Sequence, residues 1–98
     1  MATIDIRKQH TLSKDEARQR AEELARGMEQ KLGIRWKWVG DVIDFDVPSG
    51  AAKGATGKMS VEASAVRVEI DLPFLLRAMK GTIESKVNEK LQAALSRA

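Results

Sequence analysis

The chain has 98 residues, 43% hydrophobic and 32% charged, with 17 basic against 14 acidic side chains, one histidine and no cysteine. That length supports a single domain, residues 1–98, with one core and no room for two lobes around a cleft. The lack of cysteine excludes a disulfide framework, a thiolate nucleophile and cysteine-based zinc or iron–sulfur sites, so a cytoplasmic location is expected. A formal charge of +3, spread along the chain, favours weak attraction to anionic surfaces and does not mark a nucleic-acid binder.

Residues 1–11 alternate polar with apolar positions and include Asp5, Arg7 and Lys8. This is the pattern of a strand with one covered face, Ile4, Ile6 and His10 in phase, and it lacks the apolar run of a signal peptide. No stretch is apolar enough to span a bilayer. Ser13 followed by Glu16 forms a capping box, and Leu12 is placed to staple onto Ala17, so a helix is predicted to start at Lys14. Its apolar face carries Ala17, Ala21, Leu24, Ala25, Met28 and Leu32, while Arg18, Glu22, Arg26 and Glu29 take the flank and back. Glu16/Arg20 and Glu22/Arg26 are spaced as i,i+4 ion pairs, and Gly33 supplies the left-handed stop.

Two hairpins are predicted next. Folding 34–47 about Gly40-Asp41 sets Trp38 opposite Ile43, Trp36 opposite Phe45 and Ile34 opposite Val47 on one face, with Lys37/Asp44 and Arg35/Asp46 on the other. Folding 57–72 about Ser64-Ala65 sets Ala63/Val66, Val61/Val68 and Met59/Ile70 on one face, with Glu62/Arg67 and Lys58/Asp71 on the other. A one-residue slip would put every apolar group in water, so agreement between the two faces supports both pairings. The connection 48–57, rich in glycine and small residues, is predicted to be a mobile loop that buries little. Pro73 then opens a closing helix with the stripe Leu76, Met79, Ile83, Val87, Leu91 and Ala94, Leu75 and Leu95 at its margins. The stems of Lys80 and Lys90 can cover apolar surface beside that stripe, and Gly81 interrupts the helix at a cost of about 1 kcal/mol relative to alanine. Phe74 lies off the stripe, either capping the core or exposed as a contact residue.

The predicted fold class is α+β, in the order β-α-β-β-β-β-α. It is an antiparallel sheet with two helices packed on one face, the first strand paired with the last and the charged face in solvent. This layout resembles a reduced helix-grip fold of the START and Bet v 1 type. Free strand edges are expected at the second and third or at the fourth strand, and a homodimer is the default self-association.

No catalytic constellation is visible. His10 stands without a cysteine partner, and a zinc site would need carboxylates converging from distant segments, so a structural role is expected, with no metal and no cofactor. Asp44, Asp46, Glu62 and Asp71 are assigned cross-strand cations and have no reason for a perturbed pKa. Gly50-x-x-x-Gly54-x-x-Gly57 lacks the Gly-Lys-Ser/Thr ending of a phosphate loop. Trp36, Trp38 and Phe45 form the aromatic cluster, read as the packed centre of a sheet or, less simply, the lining of an apolar pocket. With Phe74 and Leu75 they are the candidate apolar contact or ligand residues.

Several motifs together resemble the polyhydroxyalkanoic acid system family of bacterial proteins. They are Ile4-x-Ile6-x-x-x-His10-x-Leu12, the Ala17-Arg18 and Ala21-Glu22 steps, Trp38-x-Gly40-Asp41-x-x-x-Phe45, Gly57-x-x-x-Val61, and Val66-x-Val68-x-Ile70-x-Leu72-x-x-Leu75-Leu76. The longer Gly/Ala loop between the hairpins is a departure. The resemblance implies association with polyhydroxyalkanoate granules or their management, with the granule surface or granule proteins as partners, and brings no catalytic residues with it. The first expectation is a non-enzymatic accessory or binding protein of the storage granule. The alternative is a carrier for a small acyl or hydroxyacyl ligand, held between the sheet and the closing helix near Trp36 and Trp38.

Overall fold

In the computed structural model, which describes residues 3–50 and 52–96, the opening alternation forms β1 (Ile4–Gln9) and the capping box starts α1 (Lys14–Leu32). Ser13 Oγ accepts the Glu16 N–H at 3.2 Å. Gly33 ends the helix at φ 70°, its N–H donating to the Glu29 carbonyl, a conformation that a side chain would strain. Next come β2 (Arg35–Val39), β3 (Val42–Asp46), β4 (Thr56–Val61) and β5 (Ala65–Asp71). All neighbours pair antiparallel in the order β1-β5-β4-β3-β2. A 3-10 helix, Phe74–Met79, leads into α2 (Lys80–Ser96). The α+β order and the β1–β5 closure are therefore as the residue pattern requires. Of the strand edges expected to be free, β2 is one, with β1 at the other end of the sheet, while β3 and β4 are interior.

The first hairpin has the expected register, Trp36 opposite Phe45, Trp38 opposite Ile43, Lys37 opposite Asp44 and Arg35 opposite Asp46. Gly40 takes φ 62° while, among the described residues, no residue type other than glycine has a positive φ, the φ pattern of a two-residue turn whose twist matches the strands. The second hairpin is corrected by two residues. Val61 pairs with Val66, Met59 with Val68, Gly57 with Ile70 and Lys58 with Glu69, and Asp71 faces Thr56. The turn residues are Ala63-Ser64, closed by the Glu62 N–H on the Ala65 carbonyl at 2.8 Å. A shift of two keeps every side chain on its own face, so alternation alone cannot detect it. The charges are settled instead across β1, where Arg7 and Arg67 lie directly opposite. Arg67 meets Asp5 diagonally across the β1–β5 pair at 2.6 Å, and Arg7 reaches past β5 to Glu62 at the β4–β5 turn at 3.0 Å, contacts that offset the like-charge pair.

The core lies between the sheet's inner face and the helices. Ala17, Ala21 and Ala25 are buried, and α1 packs over β4 and β2 while α2 packs over β1 and alongside α1. Small alanines let α1 approach Met59 and Val61, both buried on β4. Phe45 needs room of another kind. It lies opposite Gly57, and a Cβ at Gly57 would stand 2.4 Å from the Phe45 ring and 2.7 Å from the Glu69 carbonyl oxygen.

Two further expectations change. In the 48–57 connection, Thr56 and Gly57 belong to β4. Ala55 is buried, Ala52 packs on the core, and Val47 both donates to the Ala55 carbonyl and accepts from the Gly54 N–H. The loop is therefore tied to the sheet end. The closing helix does not begin at Pro73, which serves as N-cap of the 3-10 segment. Residues 74–79 turn at three residues per turn in place of 3.6, so the stripe is not one continuous α-helical face. Leu91 is buried and Leu76, Ile83, Val87 and Leu95 pack partly, but Met79 is exposed. Gly81 becomes the second residue of α2, with open space at its Cβ position.

Candidate functional site

Both tryptophans of β2 face inward but sit at a sheet edge, half-buried, where α1 overhangs them. The helix positions read as flank and back supply their polar partners. Trp38 Nε1–H donates to Glu22 at 2.8 Å, and Trp36 Nε1–H donates to Glu29 at 2.7 Å. The Arg18 guanidinium lies 4.0 Å above the Trp38 ring, a cation–π contact. Arg18 also donates to the Gly40 carbonyl at 3.0 Å and to Asp41 at 2.7 Å, and Lys14 reaches Asp41 at 2.5 Å. The Trp-x-Gly-Asp sequence is thus a clasp that docks the first hairpin onto α1.

The clasp makes stability depend on acid. The Lys14 hydrogen bond, then its charge and the Arg18 contacts, hold the Asp41 carboxyl below its ordinary 3.8 against an opposing effect of burial. Asp5 and Asp46 are lowered in the same way by Arg67 and Arg35. A carboxyl depressed in the folded state adds stability above its unfolded pKa, and that stability is lost as pH falls through the folded value. Unfolding resistance is therefore expected to decline below pH 3.8. Asp41→Asn should lower the urea midpoint at neutral pH and shrink the loss on acidification; a variant with the wild-type acid profile would contradict the assignment.

Of the five candidate contact residues, Phe45 is 7% exposed and belongs to the core. Trp36 and Trp38 belong to the clasp. α2 lies over β1, whereas the indoles are on β2, at the opposite edge of the sheet. Phe74 and Leu75 are 79% and 86% exposed, and Met79, read as a stripe residue, is 52% exposed. The 3-10 turn thus presents three large apolar side chains to solvent.

His10 works at a corner. Its Nδ1 accepts the Leu12 N–H at 3.1 Å, leaving Nε2 to donate to the Glu62 carbonyl at 3.3 Å, and its backbone N–H holds the Ser64 carbonyl at 2.8 Å. The imidazole thereby links the end of β1 to the β4–β5 turn. Among the described residues no three His, Cys, Asp or Glu side chains converge as metal ligands, and no helix is long and apolar enough to cross a membrane. The outer sheet face carries open basins of about 360 Å³ beside Arg35, Lys37 and Asp46 and about 450 Å³ beside Lys58, Glu69 and Asp71. A groove of about 300 Å³ separates α1 from α2; Leu24, Met28, Lys90 and Ala94 were marked by their helical faces, whereas Gly27 and Lys31 carried no signal in sequence.

Residues 4–95 match the family described as "Putative polyhydroxyalkanoic acid system protein (PHA_gran_rgn)". The chain belongs to this family. The match runs from the first residue of β1 almost to the end of α2, so hairpins, clasp and 3-10 turn all fall within it. No curated protein and no solved structure matches the chain.

Proposed function

We propose that this family member is a non-enzymatic accessory protein of the polyhydroxyalkanoate system, cytoplasmic, attaching reversibly to the apolar granule surface through Phe74, Leu75 and Met79. The observation that carries the reading is the exposure of Phe74 and Leu75, 79% and 86%, in adjacent positions of a tight turn. A side chain of this size gains about 1.5–3 kcal/mol when moved fully out of water. Three of them, already partly covered, give roughly 5 kcal/mol, much of which association costs consume. Attachment of a single molecule is accordingly weak and exchangeable, as suits an accessory protein on a particle that grows and shrinks.

Isolated granules provide the test. Wild type should sediment with them, and Phe74→Ser/Leu75→Ser should lose most of the bound fraction while its melting temperature stays unchanged, because both side chains already face water. Equal sedimentation of wild type and variant would reject the patch.

A further inference from the structure

The groove between α1 and α2 has an apolar floor made by Leu24, Gly27 and Met28 on one side and Ala93 and Ala94 on the other. Gly27 lies in the interior of α1, where alanine is favoured by about 1 kcal/mol. A Cβ built there meets nothing within 4 Å, so bare backbone keeps the floor open. Lys31 from α1 and Lys90 from α2 line the same groove. The Lys31 side chain beside Lys90 holds the Lys90 ammonium below the usual lysine range, with burial and Lys86 adding to the effect and Glu89 opposing it. Arg20 and Glu23 complete the lining, and Arg20 donates to the Ala94 carbonyl at 2.7 Å, joining the helices.

Two ammonium groups lining one groove beside an apolar floor complement an anion with a hydrocarbon tail. We infer that this groove binds a monocarboxylate with a straight aliphatic chain, the tail on the Gly27 floor and the carboxylate between Lys31 and Lys90. The charge-assisted contacts relieve the repulsion between the lysines, and the tail displaces water from apolar surface. The floor runs along α1 from Leu24 to Lys31, about 10 Å of helix axis, and the volume is at the low end for small-molecule sites, so a single medium-length chain fits and a larger cofactor does not. This site is separate from the 3-10 turn and does not depend on granule attachment.

Titration of the full chain with decanoate, followed by amide NMR, tests the inference, with 1-decanol as the neutral control. Saturable shifts are expected at Gly27, Lys31, Lys90 and Ala93, with decanol weaker by about tenfold. Gly27→Leu, whose Cβ meets nothing within 4 Å, fills the floor and should abolish the shifts at Lys90 and Ala93 while helicity is kept. Lys31→Met/Lys90→Met should weaken decanoate to the level of decanol. Phe74→Ser/Leu75→Ser should bind decanoate as wild type does, which separates this site from the granule patch. Equal binding of the two probes, shifts confined to residues 74–79, or undiminished binding by Gly27→Leu would each overturn it.

Discussion

Gly57→Ala is expected to destabilise the protein by about 3 kcal/mol, the upper part of the range for overpacking a close-packed interior. The added methyl would lie 2.4 Å from Phe45 Cζ and 2.7 Å from the Glu69 carbonyl oxygen. The ring can swing only by displacing its neighbours in the core, and the carbonyl belongs to the β4–β5 ladder, so both responses disturb the centre of the sheet. For a domain of this size each kcal/mol shifts the melting temperature by roughly 4–8 °C, so a drop of about 12–24 °C should be seen calorimetrically. Phe45→Leu combined with Gly57→Ala should recover part of that loss by removing the ring contact and leaving the backbone one. A strictly additive double variant would show that the ring does not rest on Gly57.

The second large effect is expected at Leu91→Ala, about 3 kcal/mol through lost apolar transfer and the cavity left behind. Among the described residues Leu91 is the one buried position of α2, at 1% exposure, with Ile83, Val87 and Leu95 only partly covered. The docking of α2 thus rests on one anchor. Amide exchange should accelerate throughout residues 80–96 before β3 and β4 lose protection, since a weakly anchored element opens below the global unfolding free energy. Uniform acceleration across the molecule would mean that α2 and the sheet unfold as one unit.

These effects arise where local sequence pattern and three-dimensional packing diverge. The period-two alternation of residues 34–47 and the Ser13/Gly33 caps were legible because each rests on neighbours in the chain. The shift of the second hairpin was not, because moving two residues leaves both faces intact. What separates the alternatives is Asp5 and Arg7 reaching Arg67 and Glu62 from β1, more than 50 residues away. Met79 was placed on the stripe because Leu76, Met79 and Ile83 share one helical wheel, which takes no account of the 3-10 segment that ends at Met79. The partners of the tryptophans were visible as Arg18, Glu22 and Glu29, an i,i+4,i+11 series on one flank of α1, yet a wheel gives no reason to prefer indole over water. Lys31 and Lys90 lie 59 positions apart, and only the packing of α1 on α2 brings them to one groove.

With Phe45 in the core and both tryptophans in the clasp, the exposed large aromatic among the candidates is Phe74. Granule attachment through the 3-10 turn therefore makes a claim about location, which amide hydrogen exchange on granule-bound protein reads residue by residue. Protection should rise at residues 74–79 and stay unchanged in β4 and β5. Bound protein with no gain at 74–79, or with its gain on the outer face of the sheet, would contradict the account.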